Sequence, residues 1–410
     1  MRSYIHDHEA SFYLSNRPEG PSKQQLEQAL QPCEVYIDQE AWQQAHIEYK
    51  NRPRDERKVR KGQPSQQIIR FYEGKIQQPP FIMFNTISNP ARCPRRYPVH
   101  APSVTNLLLD TKTSKQLKDK IFASSLPREF RQAIRIPKPG LKVHGDFTAC
   151  HPSFLGSLSG DQNMLNAVKN DFHQRTGDIF GAAIPEADIR RNLGKSINSA
   201  MIAGAGADWI ENKLDTLSNK PGLDKNNPNR VIDVRLDTDP ERNKSLILER
   251  FLEWWSPFEV AAEYKRKHNE HIRHLCFLGK PYKIRWGGRT MLNIDASTLA
   301  GFSAIPDWPD DISARKAKAE HSAFTGLLRC YEAAIMDQFF VEAHKCGMQL
   351  ILPLFDGAMW FCPNHSIARI HEFEENVQSI IQSWGIEMAF EIKTEENKAQ
   401  EQAGCLPPLS

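Results

Sequence analysis

The stretch VHGDFTACHPSFLGSLSGD, Val143 to Asp161, opens on alternating apolar and polar positions and closes that alternation with one acid, Asp146. Such alternation predicts a short strand, and the helix-like run after it ends in Ser159-Gly160-Asp161. Further along, MQLILPLFDGAMWFC, Met348 to Cys362, again sets a single acid, Asp356, at the turn between two apolar runs. Pro353 in the first of those runs has no ladder donor and predicts a bulge or an edge strand there. Between the acids, IRRNLGKSINSAMIAGAGA, Ile189 to Ala207, has helical period, with Asp188 as its cap. Spacing by four puts Arg191, Lys195, Ser199 and Ala203 on one face of that helix.

Ala314 to Ala343 carries a longer helical period, with Leu327, Leu328, Tyr331, Ile335 and Phe339 on its apolar side, as for a helix packed beneath a sheet. Ile386, Met388, Phe390 and Ile392 alternate up to Lys393 and predict a last strand. Residues 1–90 read as mostly helical, with helices over Asp38–Tyr49 and Ser65–Tyr72 and a boundary at Gln78-Pro79-Pro80. Asp38-Gln39-Glu40, following Val35 to Ile37, reads as a helix start. Residues 215–245 are rich in Asn, Asp and Pro and read as an exposed insertion. Beyond Lys393 the chain turns polar and ends in a loose tail over 396–410.

An acid at a strand end is more often a turn-former or a helix cap than a metal ligand. Two such acids carried on strands are nonetheless what a two-metal phosphoryl-transfer site needs, since each supplies hard oxygen ligands to Mg²⁺. The helix between them raises that reading. Arg191 and Lys195 stand near its N-terminal end, where basic residues are disfavoured as plain surface positions, and small residues follow them on the same face. Cations first and small side chains after describe a rail for a nucleoside triphosphate.

Together these segments resemble motifs A, B and C of the family A DNA polymerases, the class of the bacterial repair polymerase. Family motif A reads Asp-Tyr-Ser-Gln-Ile-Glu and leads to a helix ending Leu-Ser-Gly-Asp. Here Asp146-Phe147-Thr148-Ala149-Cys150-His151 leads to Leu158-Ser159-Gly160-Asp161. The family's Asp-Ile-His is matched by Asp171-Phe172-His173, and its motif B Arg-x-x-x-Lys by Arg191 and Lys195. Its His-Asp-Glu becomes Phe355-Asp356-Gly357. Upstream, Arg and then Pro-Asn-x-Gln-Asn are echoed by Arg96 and Pro102-Ser103-Val104-Thr105-Asn106. The resemblance covers about residues 90 to 395.

It implies an α+β, right-hand polymerase fold with an antiparallel palm sheet, helical fingers and a reduced helical thumb. The thumb-like region would span 1–90, the palm 91–165 and 310–395, and the fingers 166–309, with Asn192 to Leu214 as their main helix. Asp146, Asp356 and the carbonyl of Phe147 would hold two Mg²⁺ ions, with Mn²⁺ as the alternative. Arg191, Lys195 and His173 would bind the triphosphate, and Lys195 or His173 would protonate the leaving group. Arg96 and Asn106 would touch primer or template.

The departures fall on the sugar side. His151 stands where the family carries a Glu that blocks the ribose 2′-hydroxyl, Ser199 at the motif B aromatic, and Ala203 at a Tyr that polices sugar and template base. The single-subunit phage RNA polymerases share the palm and also lack that Glu. Sugar selection is therefore expected to be relaxed while catalysis is kept.

At 410 residues the chain is expected to form two or three domains. Its first residues are polar rather than signal-like, and no apolar run approaches the length of a membrane span, so no membrane partner is expected. The eight cysteines include no Cys-x-x-Cys, which argues against structural zinc and suits a reducing cytoplasm, the expected location. Net charge is only +3, but NRPRDERKVRK over 51–61 holds six Lys/Arg against two acids. Arg54, Arg57 and Lys58 there would meet nucleic-acid phosphates, unless the loop is simply solvated. Lys280, Lys283, Arg285 and Arg289, interleaved with Tyr282 and Trp286, describe either a template contact with base stacking or a plain hairpin. With only about ninety residues ahead of the palm, no proofreading nuclease is expected.

The expected activity is thus a template-directed DNA polymerase of family A type, using DNA template, primer and nucleoside triphosphates. A helicase or small accessory protein is a further partner to consider. The alternatives are a primase or primase-polymerase of a mobile element using ribonucleotides, and an inactive nucleic-acid-binding accessory protein.

Overall fold

The computed structural model describes residues 17–30, 33–51, 81–82, 128–219, 223–224, 227, 230–278, 280–286, 289–294, 312–353 and 356–397. The first elements are α1 (Lys23–Ala29), β1 (Glu34–Ile37), α2 (Gln39–Asn51), β2 (Phe81–Ile82), α3 (Arg128–Gln132) and β3 (Ile134–Arg135). Ser22 and Gln25 form a reciprocal capping box that starts α1. Asp38 Oδ1 accepts from the Ala41 backbone at 3.1 Å, so Asp38-Gln39-Glu40 is a helix start, as its position suggests. This region is less helical than its sequence predicts, because β1 pairs antiparallel with both β2 and β3. Those partners are remote in sequence, and β3 lies beyond the expected boundary. The expected helix over Ser65–Tyr72 and the boundary at Gln78-Pro79-Pro80 fall outside the described residues.

The chain continues through β4 (Gly140–Phe147), α4 (Cys150–Ser159), α5 (Gln162–Lys169), α6 (Phe172–Phe180), α7 (Ala187–Ala203), α8 (Ala207–Ser218), α9 (Pro240–Trp255) and α10 (Glu259–Phe277). The hairpin β5 (Tyr282–Trp286) and β6 (Arg289–Ile294) follows, then the long α11 (Ile312–Lys345). A second hairpin, β7 (Gln349–Pro353) and β8 (Gly357–Pro363), leads through α12 (Ile367–Ser383) to β9 (Phe390–Asn397). Strands β4, β7, β8 and β9 form one antiparallel sheet in the order β7-β8-β4-β9. Pro353 accordingly sits on an edge strand, and the β7–β8 register shifts between Leu350 and Leu352. The missing donor thus costs no ladder bond with a further strand.

One face of this sheet rests on α11, whose Leu327, Leu328, Tyr331, Ile335 and Phe339 are all buried. Phe147, Phe339 and Phe390 pack with ring centroids 4.8 to 5.4 Å apart, and Phe154 joins at 6.4 Å from Phe147. Each such ring contributes about 1.5–3 kcal/mol on burial, so this cluster makes the end of β4 rigid. β9 begins at Phe390, later than the alternation suggests, and runs past Lys393 to the buried Asn397. The Asn397 amide gives two donors, to the Ile136 and Lys138 carbonyls at 2.9 and 2.8 Å, which draws the start of the expected tail into the sheet.

The expected single helix from Asn192 to Leu214 is two. Gly204 adopts φ 118° and closes α7, a left-handed cap that glycine takes without strain. Lys265 of α10 then donates to the Met201 carbonyl at 3.2 Å, near the rings of Trp255 and Phe324. Burial lowers its pKa to about 7. The cap of α7 is Glu186 rather than Asp188, which stands in the first turn. Within 215–245, Leu223 and Val234 are buried and Ser218 accepts from the Val234 backbone at 2.9 Å, so part of the expected insertion is anchored to the body.

α6 and α7 touch backbone to backbone. A Cβ at Gly194 would lie 2.0 Å from the His173 carbonyl, and one at Gly177 would lie 1.9 Å from that of Arg190. Real Cβ atoms never come so close, and backbone cannot swing aside as a side-chain tip can. Gly194→Ala or Gly177→Ala is expected to lower stability by about 1–3 kcal/mol or more through overpacking, read as a lower denaturant midpoint. A midpoint equal to wild type in both variants would show that these helices are not in contact.

Candidate active site

Pairing of β4 with β8 brings the two acids together. Asp146 lies opposite Gly357, and the next residue, Phe147, donates its N–H to the Asp356 carbonyl at 2.9 Å. The flanking glycines permit this approach: a Cβ at Gly357 would stand 2.3 Å from the Gly145 carbonyl, and one at Gly145 would stand 2.4 Å from the Phe390 ring. Asp146 is exposed at the sheet surface, yet the apolar floor beneath it and the Asp356 charge raise its pKa to about 7. Lys195 opposes that rise, which places its charge in the field of the acid pair. On the other side of β4, Glu391 faces Asp146 in register and is held by Thr148 Oγ1 at 3.2 Å and Lys393 Nζ at 2.8 Å.

The cationic face of α7 looks onto the same place. Lys195 and Ser199 are exposed, whereas Ala203, on the same row, is buried at 7 % relative exposure where the helix ends. Arg191 Nε reaches Asp171 Oδ2 at 2.6 Å. Asp171 caps α6 in a left-handed conformation, φ 61°, accepting from the His173 and Gln174 backbones at 3.2 and 3.1 Å. Burial pulls its carboxyl upward, but the Arg191 and Gln174 hydrogen bonds outweigh it and hold the pKa below the usual range. The Asp-Phe-His run therefore orients Arg191 and sets His173 beside it. Burial, helped by the Lys195 and Arg191 charges, lowers the His173 pKa to about 4 against the pull of Asp171. His173 is thus neutral at physiological pH.

His151 Nε2 lies 3.3 Å from Glu332 Oε2 of α11. Glu332 is buried at 5 % exposure; burial raises its pKa, and His151 partly offsets that rise. The sequence comparison by motifs misses this acid, because it comes from a helix otherwise read as apolar packing. Its one visible signal is a lone Glu in the run Leu327 to Met336. Asn198, also missed, is a buried amide on the core side of α7 at 1 % exposure. Asp161, the end of the Ser-Gly-Asp run, has a structural role: its carboxylate accepts from Met164 N and Ala261 N, both at 2.9 Å, joining α5 to α10.

Tyr282 and Trp286 do not present rings to a template. Both are buried, Tyr282 against His268 at 3.0 Å and Trp286 donating to the Pro18 carbonyl at 2.9 Å, so the hairpin packs inward. Arg54, Arg57, Lys58, Arg96 and Asn106 lie outside the described residues.

Among the described residues no group of three or more His, Cys, Asp or Glu side chains could hold a metal ion by itself. The donor set is two neighbouring carboxylates that repel each other. That set fits Mg²⁺, which keeps several waters and is completed by substrate phosphates, better than a closed protein cage. No described helix is long and apolar enough to cross a membrane.

No protein-family model matches the chain, and no curated protein matches it. Among solved structures it is similar to the polymerase domain of Pol1 from M. smegmatis, in complex with DNA primer-template and dNTP. The TM-score is 0.51 at 12% identity, over 91% of this chain and 69% of that one. The fold is that of a right-hand polymerase.

A carboxyl whose pKa in the fold, about 7, exceeds its ordinary 3.8 favours folding when protonated. Its stabilising effect is present below about pH 4 and is lost as pH rises through about 7. In EDTA at about pH 8, Asp146→Asn should therefore raise the melting temperature above wild type, and the difference should shrink on acidification. An unchanged or lowered melting temperature would mean that the acids do not repel.

Proposed function

We propose that this chain is a template-directed nucleotidyltransferase: a DNA polymerase of family A type that acts on a DNA template and primer with nucleoside triphosphates. In this reading 91–165 and 310–395 are palm, 166–309 fingers and 1–90 a reduced thumb. The observation that carries it is the convergence of Asp146 and Asp356, from adjacent palm strands, under the charge of Lys195 from the fingers helix.

Asp146, Asp356 and the Phe147 carbonyl would hold Mg²⁺ or Mn²⁺ ions, which when bound lower the pKa of a primer 3′-hydroxyl and neutralise a leaving pyrophosphate. Arg191 and Lys195 bind the triphosphate as charge-assisted donors, and His173 adds a neutral donor beside them. Asp171 keeps Arg191 aligned until phosphate arrives. Lys195 gives the proton to the leaving group.

Primed and unprimed templates, each with deoxy- and ribonucleotides, test the activity. Asp146→Asn and Asp356→Asn should each lower metal-dependent incorporation at least about a thousandfold while template binding persists. Arg191→Ala and Lys195→Ala should weaken nucleotide binding by about 1.5–3 kcal/mol. Near-normal turnover in either Asn variant would sink the site assignment. Unchanged nucleotide affinity in both alanine variants would remove α7 from phosphate binding.

A second reading, a primase or primase-polymerase using ribonucleotides, draws on the sugar side, where His151 replaces the family's blocking Glu. A site that tolerates an added hydroxyl discriminates by only about a hundredfold. The wild type is expected to incorporate ribonucleotides at that level, and synthesis on unprimed template would favour this second reading. A Glu at 151 would meet the carboxylate of Glu332, so the restored gate should be made as His151→Glu with Glu332→Gln, and it should exclude ribonucleotides more strongly. A wild-type preference for deoxynucleotides above about ten-thousandfold would show that the His151–Glu332 pair already forms a strict gate.

A further inference from the structure

The hydrogen bonds behind His173 run in one direction. Trp254 of α9 has only an indole N–H to give, and gives it to Thr176 Oγ1 at 2.8 Å. The Thr176 hydroxyl, thus accepting, has two acceptors for its own proton and gives it to the nearer, Asn198 Oδ1, rather than to the Phe172 carbonyl at 3.2 Å. The Asn198 amide nitrogen donates to the Phe172 carbonyl at 3.3 Å and meets His173 Nδ1 at 2.8 Å. Turning that amide over would set its oxygen against the Phe172 carbonyl oxygen, two acceptors with no proton between them. Thr176, Asn198 and Trp254 are each at most 1 % exposed, so bulk water cannot stand in for a misdirected partner.

We propose that Asn198, oriented by Thr176 and Trp254, is a positioning residue that fixes His173 as the neutral tautomer protonated on Nε2. A nitrogen that accepts from an amide cannot itself carry hydrogen, so the ring proton must sit on the other one. Nε2 has no hydrogen-bond partner among the described residues. It is therefore the donor that the ring offers beside Lys195 and Arg191, with Asp171 completing the charged groups around it. Because Asn198 and those cations share α7, docking of that helix on α6 sets the tautomer and the cationic face together. The benefit is a third donor for a triphosphate without a third positive charge to repel the first two. That use rests on the polymerase reading; the tautomer does not.

The test is a long-range proton–nitrogen correlation spectrum of the full chain labelled with ¹⁵N-histidine, free of metal and nucleotide. His173 is assigned by the resonances lost in His173→Gln. At neutral pH the ring should be uncharged with Nε2 protonated. Asn198→Asp places only acceptors opposite Nδ1 and should move the proton there or charge the ring. Thr176→Val should give a mixture of tautomers. A wild-type ring protonated on Nδ1, or doubly protonated, overturns the proposal whether or not either variant folds. A folded Asn198→Asp that leaves the proton on Nε2 also overturns it. Binding of dATP is measured separately, and Asn198→Asp should weaken it about tenfold, the worth of one charge-assisted hydrogen bond, with kcat changed less than KM. A moved proton with unchanged dATP affinity would uphold the tautomer and overturn its use in phosphate binding.

Discussion

The closeness of β4 and β8 at the end that carries Asp146 and Asp356 is the constraint on which the candidate site depends. Two like charges are brought beside each other over a floor of phenylalanine rings, where water can solvate them from one side only. Folding must overcome that repulsion, and it does so with the packing of Phe147, Phe339 and Phe390 and with glycines that leave no side chain between the strands. The result is an anionic spot held in place by an apolar cluster. A cation relieves the repulsion, so the same arrangement that opposes the empty fold favours the loaded one.

A second constraint acts where α6 meets α7. Gly177 and Gly194 let α6 and α7 meet without side chains between them, and this contact puts Asp171 and His173 within reach of Arg191 and Asn198. Charges at the surface of α7 and polar groups in its core therefore work as one unit. Arg191 is held by Asp171, His173 by Asn198, and Lys195 is left exposed to answer the acids. Such division leaves these side chains already oriented before any ligand arrives.

At His151 the chain sets a pair drawn from two elements. His151 follows β4 and Glu332 comes from α11, so the acid that meets this histidine belongs to the buried core rather than to the segment around it. A buried carboxylate bonded to an imidazole is less free to repel a hydroxyl than an exposed one.

Local pattern by itself determined the strand carrying Asp146, the turn carrying Asp356, the edge position of Pro353, the long α11 and the face that bears Arg191 and Lys195. Each depends on period, and period is written into neighbouring residues. The N-terminal β1 was not legible as a sheet strand, because its partners β2 and β3 are remote and no local signal names them. The break at Gly204 was hidden by apolar residues on both sides of it. Tyr282 and Trp286 looked like a stacking surface because alternation cannot say which face is buried. Glu332 and Asn198 escaped for the opposite reason: a polar residue inside an apolar run acquires its meaning from the atom it meets. Sequence thus determined which candidate residues stand on which elements. Tertiary structure alone decided which charges face one another, since that depends on strand pairing and helix contact between segments far apart in the chain.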